Sequence, residues 1–367
     1  MRILFLTPYV PSPRAGGEKF TLLLLEKLSV HHQIDLVYYK YRKDAFYKAP
    51  NANIRVLKVC KNSTAVKCWN AIKLFFLFPT FTIRFSWRLL FFLKRAMRRE
   101  HYDLIYLDHS QTALYGLFFK NEQKLLMSHD VMLQRYQRAS SLVSRWVRFT
   151  EKKVMSAPAL SIWTFSEKDA ALIRDGYGLD SRVTSFFLDA TIANAVPQKI
   201  SDEFVFFGKW KRADNFDGLR WFFENVYPDL PKNWNFVIIG IGMPADFEMK
   251  LRELPNVKCL GFVDDPYGMI ANAKALIAPI FSGAGVKVKV YEALACGTPV
   301  IGNDAAFEGI SSEWKEFMLQ AESAGDYIRA MNATAFTLSQ RIQFHNKFIA
   351  MDGEKPLVTF LNGRGGA

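Results

Sequence analysis

Two lysines stand beside paired glycines in the stretch FSGAGVKVKVYEALACGTPV. Gly283 and Gly285 precede a run with helical spacing, so the amides of a first helical turn can approach an anion closely. If the helix begins near Val286, Lys287 and Lys289 oppose its macrodipole, at a cost of about 0.3–1 kcal/mol for each exposed charge. A bound diphosphate would reverse the sign of that interaction.

A carboxylate follows in the same stretch. Glu292 lies three residues after Lys289 on the same helical face, where it can accept hydrogen bonds from the vicinal hydroxyls of a ribose. The alternative is that both lysines point into solvent and that Glu292 pairs only with Lys289. The neighbouring glycines favour the anion site.

A second group of cations occurs in FFGKWKRADNFDGLRWF. Lys209 lies next to Gly208 on a strand-to-helix loop, where an ammonium group can clamp a diphosphate. Solvated surface charge is the simpler interpretation for Lys211 and Arg212. Nearer the start of the chain, the pair Gly16 and Gly17 precedes a helical stripe in RAGGEKFTLLLLEKL. It either exposes an amide to an anion or caps the helix and turns the chain, and both interpretations stay open.

Two histidines follow predicted strands, His109 in YLDHSQT and His129 in LLMSHDVM. A histidine at such a position can donate a hydrogen bond to a sugar hydroxyl or shield a developing positive charge. The alternative is that a histidine or Asp130 caps the next helix. This alternative fits His109 as well as ligand binding does, and it fits His129 less well.

Short apolar runs alternate with helical periods, which indicates an α/β fold of parallel sheets with crossover helices. Ligands of such sheets bind at the carboxyl ends of the strands, where the residues above are placed. With 367 residues, two doubly wound, Rossmann-like domains facing across a cleft are expected. The pattern restarts after a stretch without a clear period, which gives an acceptor-side domain at 1–195, a nucleotide-sugar-binding domain at 196–345 and a C-terminal segment at 346–367. The predicted strands are Ile3–Leu6, Ile34–Tyr39, Ile54–Val59, Leu104–Leu107, Leu125–Met127, Leu160–Thr164, Phe204–Phe207, Phe236–Ile239, Val257–Leu260, Ala275–Ala278 and Pro299–Ile301.

The charge balance indicates an acidic partner. Lys and Arg number 48 against 35 Asp and Glu, a net charge of +13, but the sequence contains no nucleic-acid recognition module and no specific nucleic acid is expected. The four cysteines are scattered without metal-ligand spacing, so no metal site is expected and a reducing cytosol fits best. No run of 18 or more uninterrupted apolar residues is present to cross a bilayer.

Aromatic and basic residues alternate in the segment 68–101, CWNAIKLFFLFPTFTIRFSWRLLFFLKRAMRREH. Such a segment can lie on an anionic membrane surface as a peripheral contact. The alternative is that its apolar residues pack onto the first sheet while the basic ones stay solvated.

Together these motifs resemble glycosyltransferase family 4, the retaining nucleotide-sugar transferases of GT-B fold, and in particular bacterial exopolysaccharide and lipopolysaccharide transferases. The resemblance spans nearly the whole chain. It is strongest in GAGVKVKVYEALACGTPVI with the later EGI, and GGEKFTLLLLEKL, HDV, EKKVMSAPALSIWTFSEKDA, FFGKWKRADNFDGLRWF and GFVDDPYGMIANA support it in order and spacing.

The resemblance implies a metal-independent, retaining transferase that needs no cofactor beyond its nucleotide-sugar co-substrate. The segment 68–101 adds the expectation of a glycan or lipid-linked acceptor, met at the cytoplasmic membrane face. It assigns His129 to the sugar beside the reacting carbon, Gly17 and Lys209 to the diphosphate, and Glu292 to the ribose. The loop Gly261–Asp265, with Phe262 and Val263, is assigned to the base. His109 and Asp130 are placed on the acceptor or sugar side. It also sends the last helix back onto the first domain. The full donor set is Gly16, Gly17, Gly208, Lys209, Phe262, Val263, Gly283, Ala284, Gly285, Val286, Lys287, Lys289 and Glu292.

The sequence departs from the family pattern in two places. Ala284 stands where many members have the first of two glutamates, and the later lysine of the phosphate clamp falls near Asp214 and Asn215. Lys287 and Lys289 are expected to compensate. The first departure keeps a non-catalytic nucleotide-sugar-binding scaffold open as an alternative, and a sugar-nucleotide epimerase or hydrolase of the same architecture is a second one.

Overall fold

The computed structural model describes residues 1–13, 16–41, 43–61, 63–136, 140–188, 190–283, 285–351 and 355–364. They fall into two units: unit 1 comprises Met1–Phe187 and Glu354–Ala367, and unit 2 comprises Leu188–Gly353. The division expected at 195/196 lies inside unit 2. Ala284, one of the predicted donor residues, lies outside the described residues.

Unit 1 is built on a parallel sheet. Its strands are β1 (Arg2–Thr7), β2 (Gln33–Lys40), β3 (Ile54–Lys61), β4 (Leu104–Asp108), β5 (Lys124–Met127), β6 (Leu160–Thr164) and β7 (Arg182–Val183). The helices between them are α1 (Gly16–Leu28), α2 (Thr64–Lys73), α3 (Pro79–Thr82), α4 (Trp87–Arg99), α5 (Met132–Tyr136), α6 (Ser141–Met155) and α7 (Glu167–Tyr177), with a 3₁₀ helix at Ala113–Phe118. The strand order is β3-β2-β1-β4-β5-β6-β7.

Unit 2 repeats this organisation. Its strands are β8 (Glu203–Phe207), β9 (Asn235–Ile239), β10 (Val257–Gly261), β11 (Ala275–Ala278), β12 (Val300–Gly302) and β13 (Met318–Gln320). Its helices are α8 (Ala190–Ala193), α9 (Ala213–Asn225), α10 (Ala245–Arg252), α11 (Tyr267–Asn272), α12 (Val288–Ala295), α13 (Ala324–Ala333) and α14 (Leu338–Met351), with 3₁₀ helices at Tyr227–Asp229 and Ser312–Phe317. The strand order is β10-β9-β8-β11-β12-β13.

Burial explains why the strands could be predicted from apolar runs. All strand pairings of the described residues are parallel. Strands such as β4 are buried along their whole length, because helices cover both faces of a parallel sheet. The two doubly wound parallel sheets are therefore confirmed. The prediction missed β7 and β13, which contain two and three residues and have no apolar run of their own.

The last helix, α15 (Pro356–Arg364), follows unit 2 in the chain but packs within unit 1. It contacts α1, and its residues Leu357 and Leu361 are fully buried. His32 is hydrogen-bonded to Asn362 at 2.9 Å. Unit 1 is thus assembled from two separate stretches of the chain.

Candidate active site

Each sheet has one point at which the strand order reverses. In unit 1 it lies between β1 and β4, and in unit 2 between β8 and β11. Ligands of doubly wound sheets bind outside the carboxyl ends of the strands at this point. His109 follows β4, Lys209 follows β8, and the loop with Gly283 and Lys287 follows β11. Two independent folds therefore bring predicted site residues to their own switch points.

A buried hydrogen bond between Asp108 and His129 organises the site of unit 1. Asp108 ends β4 opposite Met127 of β5, which places His129, two residues further on, within reach. Nε2 of His129 lies 2.8 Å from Oδ1 of Asp108, and both side chains are buried. Thr21 donates its hydroxyl to the other carboxylate oxygen at 2.8 Å. Burial raises the pKa of Asp108, but the charge of His129 and the hydrogen bonds from His129 and Thr21 outweigh burial and hold it below its ordinary value.

The contact with Asp108 sets the tautomer that His129 adopts when its ring is neutral. An ionised Asp108 only accepts hydrogen bonds, so Nε2 carries the proton and Nδ1 of the neutral ring is the acceptor. A Cβ atom on Gly17 would lie 3.2 Å from that Nδ1 and 3.3 Å from the hydroxyl oxygen of Tyr9. Glycine at position 17, the second residue of α1, therefore leaves room beside the imidazole. Gly16 precedes it as the first residue of the helix.

His109 is held in a strained conformation next to this pair. Its φ of 68° lies in the left-handed region, which side chains other than glycine adopt at a cost of about 1–3 kcal/mol. The ring centroid is 5.1 Å from that of His129, and Nδ1 is buried without a hydrogen-bond partner among the described residues. Burial, followed by the nearby His129, lowers the pKa of His109 to about 3. His109 is therefore neutral at physiological pH.

The capping alternative for His129 is wrong. The helix after it, α5, has its first amides satisfied by Glu151: Met132 N and Leu133 N donate to this carboxylate at 2.8 and 2.9 Å. His129 instead bonds Asp108. Asp130 is half-buried, and its carbonyl accepts the Ser128 hydroxyl at 3.1 Å.

The lysines of unit 2 turn inward, so the alternative in which both point into solvent is wrong. The helix α12 begins at Val288, later than expected, and Lys287 is its N-cap residue. The Lys287 ammonium donates to the carbonyl of Gly285 at 2.6 Å and pairs with Glu308 at 3.1 Å. The two side chains of this ion pair are only 12% and 8% exposed.

Lys289 has a different partner. Its ammonium donates to Oδ1 of Asn215 on α9 at 2.9 Å. The amide nitrogen of Asn215 in turn donates to the carbonyl of Lys209 at 3.1 Å, so the two predicted cation loops of unit 2 meet through one amide side chain. Removal from water lowers the pKa of Lys289 to about 8, although Asp214 nearby acts in the opposite direction.

Four other predicted donor residues lie in α12 or in the turn that precedes it. Glu292 is 7% exposed inside α12. Gly283 and Gly285 have φ angles of 107° and 72°, which explains glycine at both positions of the turn after β11. Val286 is half-buried between that turn and Lys287.

The residues predicted to contact the base lie elsewhere on the sheet. Phe262 and Val263 follow β10, the edge strand two places from β8, and Phe262 is 71% exposed. Gly208 follows β8, and a Cβ atom there would lie 3.4 Å from the side chain of Asn215. Gly208 thus faces the cation cluster, whereas the other two mark the edge of the sheet.

Sequence reasoning missed three partners in these clusters. Asp108 directly precedes His109 and is the last residue of an apolar strand. Ligands of parallel sheets bind at the ends of the strands, so a carboxylate at this position could have been predicted as a site residue. Glu308 stands in the EGI motif, and Asn215 occupies the place of a family lysine, but their contacts with Lys287 and Lys289 depend on the fold.

Comparison with known proteins agrees with this fold. Residues 201–335 match the family model described as Glycosyl transferases group 1. No curated protein sequence matches the chain. Sucrose-phosphate synthase from Thermosynechococcus elongatus superposes with a TM-score of 0.69 at 14% identity, over 99% of this chain and 97% of that one.

Two further structures are similar. WaaG, a glycosyltransferase involved in lipopolysaccharide biosynthesis, gives a TM-score of 0.63 at 12% identity, over 99% of this chain and 98% of that one. HepE from Anabaena in complex with UDP-glucose gives 0.64 at 15% identity, with the same two coverages. The GT-B fold and the resemblance to glycosyltransferases are confirmed, and the residues that match the group 1 glycosyltransferase model lie in unit 2.

Proposed function

We propose that the protein is a retaining, metal-independent glycosyltransferase that moves a sugar from a nucleoside-diphosphate donor to a glycan or lipid-linked acceptor in cell-surface polysaccharide synthesis. The carrying observation is the cluster of Lys289, Asn215 and Lys209 at the switch point of unit 2. Several structural neighbours were solved with UDP, UDP-glucose or a UDP-sugar analogue, which supports a nucleotide-sugar donor.

The proposed chemistry divides between the residues as follows. The bond between the anomeric carbon and the diphosphate oxygen breaks, and its electron pair leaves with the diphosphate. The acceptor hydroxyl oxygen forms the new bond on the same face, and its proton passes to the departing diphosphate oxygen. Lys209, Lys287 and Lys289 stabilise the charge that develops on the leaving group. Lys289 replaces the family lysine that is missing near Asp214, because its ammonium already lies beside Asn215.

The remaining assignments extend the same proposal. Glu292 binds the ribose, and Phe262 and Val263 contact the base. His129, held by Asp108, contacts the transferred sugar, and Gly17 contacts the diphosphate. His109 and Asp130 belong to the acceptor or sugar side, and the buried, unpaired Nδ1 of His109 is the observation that favours a ligand there.

A screen of UDP-, GDP-, ADP- and CDP-sugars by thermal unfolding tests the donor assignment, since a ligand that binds the native state raises the melting temperature. We expect one nucleotide series to stabilise the protein, and product analysis by NMR to show the anomeric configuration of the donor. Stabilisation without turnover would favour a binding scaffold. Donor breakdown without an acceptor would favour a hydrolase or epimerase, and no stabilisation by any nucleotide would contradict the proposal.

We further propose peripheral contact with an anionic membrane, on the cytoplasmic face, through the segment 68–101. The alternative, in which the apolar residues of this segment pack into unit 1, holds for part of it, because residues such as Leu89 and Leu93 of α4 are buried. The remaining aromatic and aliphatic residues are exposed, and the chain has no Asp or Glu between positions 45 and 99. The exposed residues with at least half of their surface accessible are Trp69, Ile72, Phe75 and Phe91.

The surface extends beyond the predicted segment. Leu142 and Phe149 of α6 are 74% and 54% exposed, and Lys153 lies 5.7 Å from the ring centroids of both Phe76 and Phe149. Among the described residues, no helix has the length and hydrophobicity that a bilayer span requires.

Co-sedimentation with liposomes that contain anionic lipid is expected to exceed that with neutral liposomes. Equal co-sedimentation would contradict the membrane proposal.

A further inference from the structure

A cavity of about 270 Å³ opens in unit 1, apart from the histidine cluster. It lies beside the carboxyl end of β3 and the start of α4, and its volume is close to the lower end of small-molecule sites, roughly 300–1,000 Å³. Its lining contains four cationic side chains, Lys58, Lys61, Arg84 and Arg88, and no acidic one among the described residues. This concentration of a single charge sign favours an anionic ligand.

Arg84 is the most informative of the four. It is 4% exposed, and its Nε and Nη1 atoms are buried without a hydrogen-bond partner among the described residues. The third nitrogen donates to the hydroxyl of Tyr41, and the guanidinium lies over the rings of Tyr39 and Tyr41, 5.5 and 5.0 Å from their centroids. Burying a charged group with two open donors is costly unless an anion completes it.

The surrounding backbone holds Arg84 in place. Its carbonyl accepts the hydroxyls of Tyr39 and Tyr115, the latter at 3.0 Å. Tyr115 also accepts the amide of Ser86 at 2.8 Å. Ser86 is the N-cap of α4, a helix of 13 residues, so the positive end of its dipole lies at the cavity as well. The guanidinium and the helix end are therefore preorganised toward the same space.

The cavity belongs to the same edge of the sheet as the candidate active site. Tyr39 and Cys60 lie near the carboxyl ends of β2 and β3, as His109 does for β4. Arg84 is close enough to His109 to contribute, after burial, His129 and Arg135, to the lowered pKa of that imidazole. A ligand in the cavity would therefore be held near the residues placed on the acceptor side.

We infer that this cavity binds a phosphate group of the acceptor substrate, an inference that rests on the proposed transferase function. The guanidinium of Arg84 offers two nitrogens to phosphate oxygens, and Lys58, Lys61 and Arg88 balance the charge of a dianion. The acceptor is thus a phosphorylated sugar or a lipid phosphate, and both present the same group to the site.

Isothermal titration calorimetry on the full chain, with UDP present to occupy the donor site, tests this inference. The probes are glucose 1-phosphate, glucose, and short-chain phosphatidic acid below its micellar concentration. We expect at least one phosphate ester to bind and glucose not to bind. The double variant Lys61→Gln/Arg88→Gln, whose side chains are exposed, should weaken ester binding about tenfold or more. The relative affinity of the two esters identifies the source of the phosphate.

The matched control is Lys120→Gln/Arg174→Gln, which removes the same charge from exposed positions of unit 1 outside both the cavity and the segment 68–101. Its affinity should stay within about twofold of the parent. Equal weakening by both double variants, or failure of both esters to bind, would overturn the inference. UDP binding is measured separately on each sample, so absence of UDP binding would refute the proposed function while the ester titrations still decide the cavity.

Discussion

Two groups of cations in this molecule are held in opposite ways. In unit 2, Lys287 is paired with Glu308 and Lys289 is hydrogen-bonded to Asn215. In the cavity of unit 1, Arg84 keeps two buried donors without partners among the described residues, and no acidic side chain lines the space. One set of charges is compensated by the protein itself, and the other is not.

The two sites are therefore expected to respond differently to an anionic ligand. The ammonium groups of unit 2 are fixed before a diphosphate arrives, so little reorganisation is needed when charge develops on the leaving group. The ion pair between Lys287 and Glu308 also limits the attraction for weakly charged anions. In unit 1 the ligand itself supplies the missing acceptors, so occupancy and local stability are expected to be coupled.

The largest expected effect separates the lysines of unit 2 from ordinary surface charge. The variant Lys287→Ala/Lys289→Ala should lower kcat/KM for the nucleotide sugar by about 10²–10⁴-fold, because two charge-assisted contacts to the diphosphate are lost. Lys211→Ala, on the exposed loop after β8, is the control and should change kcat/KM less than about twofold. Unchanged kinetics in the double variant would reject the phosphate role of both lysines.

The next effect concerns the histidine cluster of unit 1. Asp108→Asn removes the charge that fixes His129, so kcat should fall about 10–100-fold while the dissociation constant of UDP stays unchanged. The measurement is steady-state kinetics together with UDP titration. Asp180→Asn, at an exposed position, is the control. A parallel loss of UDP affinity would show that Asp108 supports the fold of the site rather than the orientation of His129.

Stability measurements sharpen the comparison between compensated and uncompensated cations. Glu308→Gln leaves the largely buried ammonium of Lys287 without its counter-charge and should lower the free energy of unfolding by about 1–3 kcal/mol. Arg88→Gln removes an exposed charge from the cations that line the cavity of unit 1. It should change the free energy of unfolding by less than about 0.5 kcal/mol. Urea denaturation of both variants checks this, and equal losses would remove the distinction drawn between the two sites.

The smallest effect is a pH dependence of donor binding. Because the pKa of Lys289 is about 8, its ammonium is charged at pH 7 and mostly neutral at pH 9. The dissociation constant of UDP should therefore rise by about tenfold across this interval. The variant Lys289→Arg keeps its charge at both pH values. Any pH dependence of UDP binding that remains in this variant therefore comes from titration of the nucleotide itself. The same pH profile in both proteins would mean that Lys289 does not contact the diphosphate.

Sequence patterns predicted the strands and the switch-point loops because each depends on local features. Continuous apolar runs mark strands that are buried on both faces, and glycines mark turns such as the one at Gly283 and Gly285. Contacts between distant positions were not predictable in this way. Lys289 and Asn215 are 74 residues apart, and the cavity around Arg84 exists only after β3 and α4 come together.

The start of α12 illustrates a smaller error of the same origin. The glycines suggested a helix from Val286, but Lys287 reaches Glu308 from the N-cap position, and helical geometry begins at Val288. Helix boundaries depend on tertiary capping partners, which a single sequence does not display.

The return of α15 to unit 1 affects the order in which the protein matures. During synthesis, the residues of unit 1 that precede Leu188 emerge first, yet the surface that receives Leu357 and Leu361 stays uncovered until all of unit 2 has been translated. Nascent chains stalled before Pro356 should consequently present an apolar surface beside α1 to chaperones and proteases. This surface is covered only when α15 has been synthesised and packs beside α1.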